Sequence, residues 1–319
     1  MLVVGFALVG QQLTTYHLRT FDAPAYVVDS SFGTAASATL AKILWSHPLL
    51  HQSFGTTYGW LPATVSVCYA LDVRAGNREA GVLRNAALAA GAIALLLYRL
   101  NPAAGPIYAF GAAFPDALPD PSTLSLVPTV LAVPSAPRNC VPSVHFAWAL
   151  LAAVEARRLA RAWRVAFALF AALIAMATIG LEEHYLIDLV VALPFTLSIY
   201  AICSRLRARA VSWRSTAMSG ALATLSRLVF LRLAPPLPHL PLISWSFTVA
   251  TMVGTIVTAL GYFPEGSRRW PSPYCLVAPA FVRSSQRPAQ PIRAQGPTRQ
   301  PSSIGLRSSL SGRQPDSPA

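Results

Sequence analysis

Apolar stretches alternate with arginine-bearing polar loops along most of this 319-residue chain. The apolar segments fall at about 1–17, 58–72, 84–100, 141–156, 162–180 and 185–203, with another at about 241–263. A weaker stretch at 218–233 reads as an interfacial or membrane segment. A helix needs roughly 20 apolar residues to cross the hydrocarbon of a bilayer. The pattern predicts an all-α polytopic membrane helix bundle. Six core transmembrane helices are expected within residues 1–210 and one or two extra membrane segments within 211–263. Residues 264–319 are rich in Pro, Ser, Arg and Gln without an apolar period, and are expected to be a disordered tail.

Two long connections interrupt the pattern. Residues 18–57 carry Asp22, Asp29, His47 and His51 among apolar positions such as Ile43, Leu44, Trp45, Leu49 and Leu50. That mixture predicts a helix lying at the membrane interface. Residues 101–140 are rich in Pro and Gly, and connections of that length usually form lids or binding loops. Residues 1–16 lack a basic leader region and are expected to belong to a first span, with Met1 opening inside it.

Composition supports the membrane reading. Only 12% of residues are charged, about half the usual share of a soluble domain, and 54% are hydrophobic. The net charge is +13, with Lys42 the single lysine. The arginines sit in loops between apolar spans and in the tail, so membrane topology explains them better than nucleic-acid binding. The arginine bias and alanine richness suit a bacterial plasma-membrane protein. Four cysteines show no metal-ligand spacing, and Cys68 and Cys203 read as small hydrophobes. No cofactor or metal is expected, and the sequence sets no oligomeric state.

Loop charge sets the orientation. Arg74, Arg78 and Arg84 follow the second span, Arg157, Arg158, Arg161 and Arg164 the fourth, and Arg205, Arg207, Arg209 and Arg214 the sixth. The positive-inside rule puts all three groups in the cytoplasm. The starts of the fourth and sixth spans then face the non-cytoplasmic side.

Both starts carry chemistry. Pro142-Ser143-Val144-His145 opens the fourth span, and Glu183-His184-Tyr185-Leu186-Ile187-Asp188 opens the sixth. His184 and Asp188, four residues apart, share one helix face. A carboxylate that holds one imidazole nitrogen leaves the other a better nucleophile. Ser143 is placed to present a hydroxyl at free helix amides, a setting that favours phosphate. His145 is suited to general acid catalysis. Glu182 and Glu183 read as hydroxyl-binding or solvated carboxylates. Tyr185 reads as an interfacial aromatic, and Trp148 as an interfacial or packing one.

The order Pro-Ser-x-His, hydrophobic hairpin, His-x-x-x-Asp resembles the type 2 phosphatidic acid phosphatase superfamily. Glu183-His184-Tyr185-Leu186-Ile187-Asp188-Leu189 looks closest to its inositol phosphorylceramide synthase-like branch. Tyr98-Arg99-Leu100-Asn101-Pro102 with Gly105-Pro106, and Arg138-Asn139, also resemble that branch. The likeness covers roughly residues 20–203. It implies that His184 attacks phosphorus, Asp188 orients it, and His145 protonates the departing alkoxide. The substrate implied is a lipid phosphate within membrane lipid. The superfamily's Lys and Arg-Pro phosphate motif has no match, and Ala177-Thr178 stand where a Ser-Arg pair is expected. Arg138, Arg99 and Ser143 are the available phosphate-binding groups. Hydrolysis and head-group transfer are rival outcomes, and a non-catalytic transporter or scaffold is the reading outside enzymology. A haloperoxidase-type relative fits the membrane composition poorly.

Overall fold

The computed structural model describes residues 19–76, 81–125, 129–130, 136–204, 212–233 and 240–262. The expected first span, Arg78, Arg205, Arg207, Arg209 and the tail from 264 with Cys275 lie outside these residues.

The described residues form an all-α bundle in which the only strands are the two-residue pair β1 (Arg19–Thr20) and β2 (Thr129–Val130), antiparallel with Arg19 opposite Val130. Three helices occupy the first long connection: α1 (Asp22–Ser30), α2 (Ala36–Trp45) and α3 (Pro48–Gly59). The core follows with α4 (Leu61–Arg74), α5 (Gly81–Leu100), a short α6 (Pro106–Phe110), α7 (Val144–Ala156), α8 (Arg161–Gly180) and α9 (Leu186–Cys203). Two more helices, α10 (Ser212–Leu233) and α11 (Pro241–Tyr262), complete it.

Among the described residues, four helices are long and apolar enough to cross a membrane: α5, α8, α9 and α11. α7 is apolar but spans only 13 residues, or about 20 Å. The expected span at 58–72 begins earlier. Trp60 has helical dihedrals (φ −80°, ψ −3°) and donates to Thr56 O at 3.0 Å, so α3 runs almost without a break into α4. The weak segment at 218–233 belongs to α10, which packs along α9.

The expected single interfacial helix resolves into α2 and α3 lying against α8. Leu44 is buried there, whereas Ile43, Trp45, Leu49 and Leu50 are exposed. The lipid-facing surface follows the same logic. Leu169, Leu173 and Met176 of α8, and Val249, Val253 and Val257 of α11, are exposed apolar side chains. At membrane depth such residues need no protein cover.

Small residues let the central helices approach closely. Ala86, Ala90 and Ala94 form a buried stripe on α5 at helical spacing. α5 packs against both α7 and α9, and Ala149, Ala152 and Ala156 of α7 are also buried. Trp148 is buried in this seam and donates to Ala87 O at 2.9 Å, so it packs the bundle rather than marking an interface. α9 is enclosed by α5, α7, α10 and α11.

The core helices alternate in direction, which sorts the ends. Cys68 of α4 reaches Ala152 O of α7, and Arg158 reaches both Glu155 and the Tyr200 hydroxyl of α9. Arg74, Arg84, Arg157, Arg158, Arg161 and Arg164 therefore gather at one end. The starts of α7 and α9 and the end of α5 meet at the other.

Candidate active site

Four chain segments converge at that second end. α9 begins at Leu186, and Asp188 lies in its first turn, where helix N–H groups lack partners. Its Oδ2 accepts from Tyr185 N at 2.8 Å and contacts His184 Nδ1 at 3.2 Å. The spacing of four thus delivers the pair expected from sequence, with the imidazole held by its Nδ1. Both side chains are buried, His184 to 3% exposure.

Ser143 caps α7, its Oγ accepting from Phe146 N at 3.4 Å. The same Oγ lies 3.4 Å from His184 Nε2. Ser143 N donates to Asp188 O at 3.3 Å, which fixes the start of α7 against the start of α9. The serine therefore faces the imidazole nitrogen that Asp188 leaves free.

His145 follows within the first turn of α7 and is half-buried. The Tyr58 hydroxyl lies 2.9 Å from its Nδ1, and the two rings stack with centroids 4.3 Å apart. A tyrosine that donates to Nδ1 leaves the proton of a neutral imidazole on Nε2. His145 also interacts electrostatically with His184.

Cys140, to which the sequence reading gave no role, joins the cluster. Its thiol donates to Asp188 Oδ2 at 2.6 Å and lies 3.3 Å from His184 Nδ1. Burial pushes the thiol pKa well up, and the Asp188 carboxylate adds to it. Cys140, His184 and Asp188 offer ligand atoms within 4.8 Å of one another. The three groups could hold a metal ion, a grouping that sequence spacing does not show because Cys140 comes from a different segment than His184 and Asp188.

A support layer lies behind the cluster. Asp22 is buried and accepts from Ala104 N at 3.0 Å, Gly105 N at 2.9 Å and the Tyr185 hydroxyl at 3.0 Å. Burial raises its pKa, while hydrogen bonds from Thr20, Gly105 and Ala104 oppose the rise. Tyr185 is therefore a buried structural link, not the interfacial aromatic expected. Its hydroxyl finds a carboxylate, as a buried tyrosine requires. Gly105 adopts φ +95° and lies so close to Glu183 that a Cβ would sit 2.3 Å from the Glu183 carbonyl oxygen. Tyr98 donates to Pro142 O at 3.0 Å, and Cys140 N to Ala103 O at 3.0 Å.

The remaining candidates divide. Arg138 is buried, donates to Ala136 O and interacts with Asp22. Burial lowers its pKa and the Asp22 charge opposes that. Arg99 is exposed at the end of α5, beside the buried Tyr98, and none of the described contacts joins it to the cluster. Glu182 is buried and accepts from Trp45 Nε1 at 2.7 Å. Glu183 is half-buried and accepts from the Tyr108 hydroxyl at 3.1 Å. Burial raises the pKa of both carboxyls. They are partnered groups at the rim rather than freely solvated ones.

Sequence reasoning missed Tyr58, Cys140, Asp22 and Tyr108. Asp22, an acid directly before an apolar run, was the one visible signal among them. The others lie in segments whose proximity only the fold creates.

The arrangement can present one imidazole nitrogen to an electrophile while a carboxylate holds the other. It can also offer a proton from a second imidazole beside the first. No curated protein and no solved structure was matched by the chain. The family model described as PAP2 superfamily matches residues 25–202, more than half of the chain and all of the clustered residues except Asp22. With more than half of its length matched, the chain belongs to the PAP2 superfamily.

Proposed function

We propose that this membrane protein transfers the phosphoryl group of a lipid phosphate through a phosphohistidine on His184. Nε2 of His184 attacks phosphorus, and the bond from phosphorus to the lipid oxygen breaks. His145 gives its Nε2 proton to the departing alkoxide. Water or another alcohol then attacks phosphorus, returns a proton to His145 and frees His184. Asp188 holds the Nδ1 proton throughout and favours the cation that forms on the ring. Ser143 and Arg138 are the groups proposed to hold the phosphate, and Arg99 would act only at the exposed rim.

One observation carries this reading: the His184–Asp188 contact of 3.2 Å leaves Nε2 directed at Ser143, two residues before His145 in the same helix start. Superfamily membership supports a phosphatase or phosphotransferase in general. The length of α7 supports a lipid substrate. Its end is marked by Arg157 and Arg158, and its start lies about 20 Å away, short of the ~30 Å hydrocarbon thickness. A site recessed in that way meets lipid headgroups more readily than soluble phosphates. Loop arginines at the opposite end favour a non-cytoplasmic site in a bacterial plasma membrane. A reporter fused at residue 120 and recovered in the cytoplasm would overturn that orientation.

The near-closure of His184 favours a second outcome of the same chemistry. At 3% exposure it is shielded from bulk water, which suits transfer to an alcohol of the kind made by inositol phosphorylceramide synthase-like enzymes. The test uses purified protein in lipid vesicles with phosphatidic acid and related lipid phosphates. His184→Ala should lower phosphate release by at least about 10³-fold and Asp188→Ala by about 10²-fold or more. Added alcohols then divide transfer from hydrolysis. Equal turnover by wild type and His184→Ala would defeat the phosphohistidine and leave a scaffold or transporter role.

A further inference from the structure

We infer that Cys140, His184 and Asp188 form a binding site for a soft divalent cation, with Zn²⁺ the best match, and that its occupation switches the enzyme off. The three ligand atoms are Cys140 Sγ, His184 Nδ1 and Asp188 Oδ2. Their separations are 3.3 Å for sulfur to nitrogen, 3.2 Å for nitrogen to oxygen and 2.6 Å for sulfur to oxygen. Tetrahedral zinc with bonds of about 2.0–2.3 Å sets its ligands about 3.3–3.6 Å apart. Two edges therefore fit as they stand, and the third must open by about 0.8 Å, which a rotation of the Cys140 side chain supplies.

The donor set selects the ion. A thiolate with an imidazole suits zinc and related soft ions, whereas magnesium and calcium require oxygen ligands. Asp188 Oδ1 is buried and carries no hydrogen bond, so the carboxylate has a second oxygen to offer the ion. Water can fill any position still open, as in zinc sites with three protein ligands.

Binding is written with its protons. The Cys140 thiol loses its proton to solvent and ligates as thiolate. The ion replaces the Nδ1 proton of His184, and that proton moves to Nε2. Nε2 then has no lone pair for attack on phosphorus. Asp188 contacts the metal instead of the imidazole. Inhibition depends on the proposed role of His184, whereas ion binding does not.

The test starts from full-length protein in which Cys68, Cys203 and Cys275 are replaced by Ser, leaving Cys140 as the only thiol. Co²⁺ titration should produce a thiolate-to-cobalt charge-transfer band that saturates at one equivalent and is removed by Zn²⁺. Adding Cys140→Ser should abolish the band, and His184→Ala should weaken binding at least tenfold. Zn²⁺ should inhibit phosphate release reversibly with chelator, and Mg²⁺ should not. Relative to its own activity, Cys140→Ser should need at least tenfold more Zn²⁺ for half-inhibition. A protein with an intact melting transition and no thiolate band overturns the site, as does binding unchanged by both substitutions. If no phosphate is released from any lipid, the function proposed above fails while the cobalt titration still decides the site.

Discussion

Gly105 allows the link between loop packing and the position of His184, the proposed nucleophile, to be measured. Its φ of +95° and ψ of 159° lie in a region open essentially to glycine alone. Alanine there costs about 1–3 kcal/mol in backbone strain. The added Cβ would also lie 2.3 Å from Glu183 O, where real contacts do not fall below 3.0 Å. The two backbones must part by about 0.7 Å, which adds about 1–3 kcal/mol of overpacking. Glu183 immediately precedes His184, so the proposed nucleophile moves with it. A misplacement near 1 Å costs about 10²-fold in rate, so a loss of tens of fold in kcat is expected.

Gly33 supplies the control. It has φ +114°, but a Cβ there meets nothing within 4 Å. Gly33→Ala should lose about 1–3 kcal/mol of stability and keep its kcat. Thermal unfolding in detergent and phosphate release from vesicles, measured on both variants, separate strain from displacement. Wild-type kcat in Gly105→Ala would refute the reasoning. So would an equal loss of activity in Gly33→Ala at temperatures where both variants are folded.

Other expectations are simpler. Tyr58→Phe removes the hydroxyl 2.9 Å from His145 Nδ1 and keeps the stacked ring. One hydrogen bond of about 0.5–1.5 kcal/mol corresponds to a fall in kcat of roughly 2- to 12-fold with little change in KM. The limb of the pH profile that reports His145 should shift as well, and an unmoved profile with unchanged kcat would remove Tyr58 from the mechanism. Asp29 is buried beside Ser37, and burial raises its pKa from 3.8 to about 6. Its folded pKa exceeds the unfolded one, so its contribution is fully present below pH 3.8 and is lost as pH rises through about 6. Asp29→Asn removes that loss, worth up to about 3 kcal/mol, so its melting temperature should gain on wild type between pH 4 and pH 7. Parallel melting curves for the two proteins across that range would contradict the assignment.

Local chemistry was legible in the sequence. The helix period placed α5, α8, α9 and α11 to within a few residues, and the spacing of His184 and Asp188 gave their shared face. The cap role of Ser143 followed from its place before an apolar run. What could not be read were meetings between distant segments. Cys140 lies 44 residues from His184 and Tyr58 lies 87 from His145, with no periodicity to relate them. Tyr185 looked interfacial because aromatic residues at helix starts usually are, and its partner Asp22 is 163 residues away. The α3–α4 junction was misjudged because polar Gln52, Ser53 and Thr56 break the apolar run without breaking the helix. The Ser53 and Thr56 hydroxyls return to the helix's own carbonyls, Ser53 to Leu49 O at 2.7 Å and Thr56 to Gln52 O at 2.8 Å.

The bond between Asp22 and Tyr185 also has a consequence in time. At about 5–20 residues per second, the ribosome adds the 163 residues between them in roughly 8–33 s. Through that interval Asp22 has to stay hydrated or borrow a temporary partner, because its tyrosine has not been made. His184 and Asp188 arrive in the same late stretch of chain. On the mechanism proposed above, the chain cannot react with surrounding lipid while it is being inserted. With His184 as the proposed phosphoryl acceptor, a chain truncated before α9 would be inert in the membrane.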